Sequence, residues 1–227
     1  MLKNLLKEYK LNDKQIHLLN KLRGLVIEYN KHTNITSIIE EKEFNEKHIL
    51  DSISIVKFYE LENKTILDVG SGGGLPGLVL AIALPSSKIT MLDSNNKKIE
   101  FINYAIKELE LKNSSTIYSR IEVSDTVEKY DIVLSRAVSP LNILLEITSP
   151  SVKVNGELIY YKGINLEQEL PKKWEIVKEK LGIDFIEINT FNLNDSTIRK
   201  FISFKKINSK RKTQIRDFSQ IKKKPIF

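Results

Sequence analysis

The run D-V-G-S-G-G-G-L-P-G at residues 68–77 holds five glycines in ten positions. Glycine this dense is entropically costly and is kept where a backbone must turn tightly or approach another group closely. The run follows T-I-L, and an acid, Asp93, ends a second apolar run, K-I-T-M-L-D, 23 residues after Gly70. A glycine loop between a strand and a helix, with an acid closing the next strand, is the arrangement that holds an adenosine-type cofactor. The loop backbone comes close to the ligand, and the carboxylate accepts hydrogen bonds from ribose hydroxyls. Gly72 and Gly74 of the loop and Asp93 are therefore candidate cofactor contacts.

The cofactor class turns on charge. Gly72, Gly74 and Gly77 satisfy the dinucleotide spacing G-x-G-x-x-G, which keeps an NAD-dependent oxidoreductase as an alternative. Asp68, just ahead of the loop, argues against it, because a carboxylate repels a pyrophosphate by about 1 kcal/mol at 4 Å even in water. The sulfonium and ammonium of S-adenosyl-L-methionine would be favoured by the same carboxylate, directly or through water.

These residues need a scaffold, and the chain supplies an α/β pattern. Residues 1–63 read as a helical N-terminal extension. Asp13 is the expected cap of a helix carrying Ile16, Leu19, Leu22, Val26 and Tyr29, and a second helical run over 40–61 places Phe44, His48, Asp51 and Ile55 on related faces. From residue 64 to 206 short apolar strands (65–69, 88–93, 115–118, 130–135, 157–162) alternate with helices (75–84, 95–111, 141–148, 166–181), the pattern of a parallel, doubly wound sheet. Two β-patterned runs, 183–191 and 197–205, joined by N-L-N-D-S, predict a closing antiparallel hairpin. The expected fold is a Rossmann-like, seven-stranded, mostly parallel sheet of the class I S-adenosylmethionine-dependent methyltransferase kind.

Composition bounds the rest. The 227 residues carry no cysteine and three scattered histidines, so disulfides and cysteine nucleophiles are excluded and no metal site is expected. No run approaches the roughly 20 apolar residues of a membrane span, and the cytoplasm is the expected location. Nine of the 36 basic residues fall in 205–227 against one acid, Asp217, so this stretch is +8 while the other 204 residues are nearly balanced. Residues 207–227 are read as a basic tail fit to neutralise phosphates, with Arg211, Lys222, Lys223 and Lys224 as candidate contacts. Its removal is expected to spare cofactor binding.

In order along the chain, H-I-L-D-S (48–52), the glycine run, L-D-S (92–94), S-R-I-E (119–122), S-R-A (135–137), Y-K-G (161–163) and the terminal K-K-K-P resemble the RsmG, or GidB, family of bacterial methyltransferases that act on guanine N7 of 16S ribosomal RNA. The resemblance runs from about residue 30 to the C-terminus. It implies S-adenosyl-L-methionine as cofactor, with Gly70, Leu75, Ser94, Ile121, Glu122 and Arg136 in its site, and 16S rRNA or the assembling small subunit as partner. Guanine N7 has an in-plane lone pair, so methylation there needs alignment but no general base. No strictly essential acid–base residue is expected. Lys162 is a candidate for RNA phosphate, and His48, beside Asp51, is read either as a substrate contact or as a helix-packing hydrogen bond. A monomer is expected, and a ribosome-assembly factor that retains the cofactor fold without turnover is the further alternative.

Overall fold

The computed structural model describes residues 2–194, 197–209, 216 and 218–227. After a single turn, α1 (Leu2–Leu5), comes α2 (Asp13–Asn30), whose cap is Asn12 and not Asp13: Asn12 and Gln15 form a reciprocal capping box. Asn12 wins because its side chain sits at the last non-helical residue, where it reaches the amide of the third helical one.

The second helical run is real but irregular. It passes from α3 (Glu41–Phe44) through a π-turn (Asn45–Leu50) and α4 (Asp51–Ile53) into a 3-10 turn (Ser54–Lys57). Widening the helix at 45–50 lets Asn45, Ile49, Leu50, Asp51, Ser52 and Ile53 all be buried, a wider face than a regular α-helix could bury.

From β1 (Thr65–Val69) the elements alternate: α5 (Gly77–Ala83), β2 (Lys88–Asp93), α6 (Asn96–Glu108), β3 (Ser114–Tyr118), β4 (Tyr130–Arg136), α7 (Leu141–Thr148) and β5 (Val152–Lys162). Then come α8 (Trp174–Leu181), the hairpin of β6 (Ile183–Asn194) and β7 (Thr197–Lys206), and α9 (Phe218–Lys223). Among the described residues the seven strands form one sheet in the order β3-β2-β1-β4-β5-β7-β6, with β1 to β5 parallel and β7 antiparallel to both neighbours. Strand order reverses between β1 and β4, which opens the ligand crevice at their carboxyl ends. The sheet separates two cores. Ile66, Phe101, Ile132, Ile159 and Phe201 pack beneath the N-terminal helices, α5 and α6. Leu67, Val133, Leu158, Tyr160 and Ile202 pack beneath α7, α8 and α9.

One ion cluster fastens the irregular helix to the strand ends. Asp51, 1% exposed, receives Arg136 Nη1 at 2.8 Å from the end of β4, and Arg199 Nε and Nη2 at 2.6 and 2.8 Å from β7. Tyr161 of β5 adds a hydrogen bond from its hydroxyl to the Ser52 carbonyl at 2.7 Å. Removing the shared carboxylate strands two partly buried guanidiniums, so Asp51→Ala is expected to lose about 3–5 kcal/mol of stability in urea unfolding. A loss below about 1 kcal/mol would contradict this role.

Candidate active site

The glycine loop is laced to the end of β2. Gly70 and Ser71 amides donate to the Leu92 carbonyl at 2.8 and 3.1 Å, and the Gly72 amide donates to Asp93 Oδ2 at 2.8 Å. Asp93 Oδ1 accepts from the Asn95 amide at 2.8 Å, so the carboxylate is fixed while keeping lone pairs for further donors. Gly70 is required twice over. Its φ is +71°, and a Cβ there would stand 2.3 Å from Val138 Cγ2. At Gly77 a Cβ would meet Met91 Cγ at 2.4 Å. Much of the glycine content thus makes room for the protein's own packing, where the sequence pointed to a ligand.

Beyond the loop lies a cavity of about 300 Å³. Gly70, Asp93, Ser94, Ile121 and Glu122 line it together, with Val69, Leu92, Ser119, Arg120, Val138, Ser139, Ile147 and Phe218. It combines apolar walls with a carboxylate at a strand end and backbone that approaches closely, and this donor set fits an adenosine held flat between Asp93 and the 121–122 turn. Gly72, Gly74 and Leu75 are not in the lining: Gly72 braces Asp93, Gly74 packs under Leu78, and Leu75 is buried. A larger cavity, about 460 Å³ between Pro140, Leu170 and Phe227, has none of the glycine loop in its lining.

Other expected site residues are placed differently. Asp68 is fully buried beneath the loop and does not line the cavity. Its Oδ2 accepts from the Gly77 amide at 2.9 Å, while Oδ1 has no partner among the described residues. Burial pushes its carboxyl up to about 6, opposed by the Gly77 amide and the Arg136 charge, while the Ser71 hydroxyl donates to the Asp68 backbone carbonyl at 2.9 Å. Arg136 turns away from the cavity toward Asp51. Lys162 does not stand free for phosphate: it is 8% exposed, and its Nζ donates to Glu169 Oε2 at 2.6 Å and to the Ser139 carbonyl at 3.0 Å. His48 is half-buried, with Nε2 at 2.8 Å from Thr36 Oγ1 and its ring edge-on to Phe44. Burial and the nearby Arg136 lower it to about 4, so it is neutral at pH 7 and held as a packing residue.

The tail is the largest correction. Arg211 lies outside the described residues, and Lys222, Lys223 and Lys224 are exposed as expected of solvated cations. Residues 218–227, however, fold back on the domain. Ile221 is wholly buried against the α7 core, and Asn142 Nδ2 donates to the Phe227 carbonyl at 2.9 Å. Arg216 holds Glu146 of α7 through two bonds at 2.6 and 2.7 Å. Phe218 then reaches the cavity wall. The sequence signal for this was the apolar pair Phe218 and Ile221, one helical turn apart within the basic run. Lys206 is likewise buried, donating to the Ser149 and Val152 carbonyls. Asp51 and Arg199 were missed as partners because 148 residues separate them.

Residues 15–198 match the family model described as GidB, rRNA small subunit methyltransferase G. The chain is 36% identical to the ribosomal RNA small subunit methyltransferase G of Mycoplasma capricolum, covering 96% of this chain and 94% of that one. It is 38% identical to that of Caldicellulosiruptor bescii, covering 100% and 99%. Among solved structures, M. jannaschii TYW2 in complex with AdoMet is similar with a TM-score of 0.59 at 17% identity, over 75% of this chain and 80% of that one. A SAM-dependent methyltransferase from Aquifex aeolicus is similar with a TM-score of 0.53 at 18% identity, over 82% and 97%. These two likenesses speak to the fold.

Two outcomes follow from the geometry. Phe218→Ala should weaken S-adenosylmethionine binding about 2- to 10-fold in isothermal titration, the worth of one aromatic wall. Unchanged affinity would detach the tail from the cavity. For Asp68, the folded protein keeps a proton between about pH 4 and 6 that the unfolded chain has released, so stability from this group falls as pH rises through that window. Asp68→Asn removes that loss, and relative to the unchanged protein it should gain up to roughly 3 kcal/mol between pH 4 and 7. A pH-independent difference would contradict the burial effect.

Proposed function

The chain belongs to the GidB family of small-subunit rRNA methyltransferases, enzymes that methylate rRNA with S-adenosylmethionine, and on that premise we propose that it methylates N7 of one guanine in 16S rRNA. The observation that carries this reading is the cavity where Gly70, Asp93 and the 121–122 turn meet at the carboxyl ends of β1 and β2, walled by Val138 and Ser139 after β4. Bound there, S-adenosylmethionine supplies an electrophilic methyl group on a cationic sulfur, which the N7 lone pair accepts without loss of a proton.

The chain's own residues orient and exclude water. Asp93, pinned by the Gly72 and Asn95 amides, would receive the ribose hydroxyls, and Ile121 and Glu122 would flank the adenine. Val138 and Phe218 close apolar walls around it. Asp68 acts from beneath the loop, where its charge is felt at range and its carboxylate holds the start of α5 through the Gly77 amide. The segment after β4, S-R-A-V-S-P, brings no free acid or imidazole to the wall: the Arg136 guanidinium is engaged by Asp51, and His48 by Thr36. A segment that offers no such acceptor suits a nucleophile that needs none.

The target base must leave its stack to reach the methyl group. The exposed lysines 222–224 follow Phe218 by four to six residues and would meet rRNA phosphates if the substrate reaches the cavity along this side. The tail thereby serves cofactor and RNA at once.

Purified protein incubated with methyl-labelled S-adenosylmethionine and small-subunit rRNA should place label in 7-methylguanosine at a single position, read by nucleoside mass spectrometry. Label on an exocyclic amine, on ribose, or on no nucleoside would refute the reading. The single-turnover rate should change less than about threefold between pH 6.5 and 8.5, because no catalytic base titrates. A tenfold rise through one pKa would reveal such a base.

A further inference from the structure

A second cavity, about 350 Å³, adjoins the first across the turn that follows β4. Val138 and Ser139 line both, so this turn is a shared wall. The turn is held in place at Ala137, whose φ is +57°, and by the Val138 contact with Gly70. The second cavity is also lined by Tyr161, Lys162, Gly163, Glu169 and Arg199, whose guanidinium is engaged by Asp51. Glu169 is the polar group with capacity to spare. Its Oε2 accepts from Lys162 Nζ at 2.6 Å and from the Leu141 amide at 2.6 Å, which fixes the carboxylate between β5 and the start of α7. No hydrogen bond engages Oε1 among the described residues, and the side chain is 31% exposed.

We propose that this second cavity receives the extruded guanine and that the Glu169 carboxylate reads it, accepting hydrogen bonds from N1–H and the 2-amino group. The inference rests on the guanine-N7 reading above. Its chemistry is selective. Guanine presents two adjacent donors on its Watson–Crick edge, matched by an acceptor-only carboxylate. Adenine, cytosine and uracil each present a ring-nitrogen lone pair or a carbonyl oxygen there, which a carboxylate repels. A site built to bond donors rejects a base that lacks them far more strongly than a shape-matched apolar slot does. With that edge on Glu169, N7 lies on the opposite side of the purine, toward the rim that Val138 and Ser139 give to both cavities, where it would meet the methyl group. Lys162, through its bond to Glu169, is a positioning residue.

The test uses full-length protein and small-subunit rRNA ligated to carry either guanosine or inosine at the mapped target. Inosine keeps N7 and N1–H but lacks the 2-amino group. In the unchanged protein inosine should slow single-turnover methylation about 10- to 100-fold, the worth of a hydrogen bond to a charged group. In Glu169→Ala the guanosine rate should fall by a similar factor while inosine costs less than about threefold further, with S-adenosylmethionine affinity unchanged. An inosine penalty of equal size in both proteins would overturn the proposal. Should Glu169→Ala lose cofactor binding, Gly163→Leu decides the matter: Gly163 lines the cavity, and a Cβ there meets no atom within 4 Å, so the larger side chain is accommodated at the cavity's edge. It should lower methylation at least tenfold with cofactor affinity intact, and an unchanged rate would overturn the proposal. If the unchanged protein places no methyl on any guanine N7, the guanine-N7 reading itself fails, which neither variant result mimics.

Discussion

A single buried carboxylate, Asp51, sets the geometry on which both cavities depend. Two guanidiniums converge on it from strands that are not neighbours, Arg136 at the end of β4 and Arg199 on β7. Breaking such a cluster by removing one partner costs far more than its net contribution, because charges remain stranded out of water. Its consequence is positional. Holding Arg136 fixes where β4 ends, and the following residues 137–139 form the wall between the cofactor cavity and its neighbour. The helical layer over residues 41–57 is thus part of the site's foundation as well as a lid on the core.

The glycine loop and its surroundings show a division of labour. Gly70 and Gly77 clear space for Val138 and Met91, so the loop is pressed into the sheet before any ligand arrives. Asp93 is braced by loop and helix amides, and Asp68 is sunk beneath them. Two buried titratable groups oppose each other in pH. His48, depressed to about 4, favours folding as pH rises from 4 toward 6.5, whereas Asp68, raised to about 6, disfavours it over much of that range. The two groups therefore pull stability in opposite directions across mild acid.

Local pattern made the architecture legible. Buried runs such as T-I-L-D-V, the acid that ends K-I-T-M-L-D, and the paired β-runs near the C-terminus each contain their own signal, because burial on both sheet faces and strand–loop–helix punctuation are short-range properties. Gly70, Asp93, Ser94, Ile121 and Glu122 meet in one cavity because they sit on adjacent strand ends, a juxtaposition that sheet topology dictates. What stayed hidden depends on distant partners. Nothing near Lys162 announces that Glu169 will take its charge, and nothing near Asp51 announces Arg199. The basic run 205–227 read as a solvated tail because charge dominates its composition, while the residues that fold it back, Phe218, Ile221 and Phe227, are few. Asp68 argued against a pyrophosphate from the sequence, yet its position beneath the loop could come only from the structure.

The arrangement as a whole requires that cofactor and target base meet at the edge of the 137–139 turn, whose residues Val138 and Ser139 line both cavities. A crystal structure with S-adenosylhomocysteine bound tests this most directly. The ribose should lie against Asp93, the adenine beside Ile121 and Glu122 and against Phe218, and the sulfur at Val138, pointing toward the Glu169 cavity. Adenosine seated anywhere else, whether under the N-terminal helices or within the Glu169 cavity itself, would contradict it.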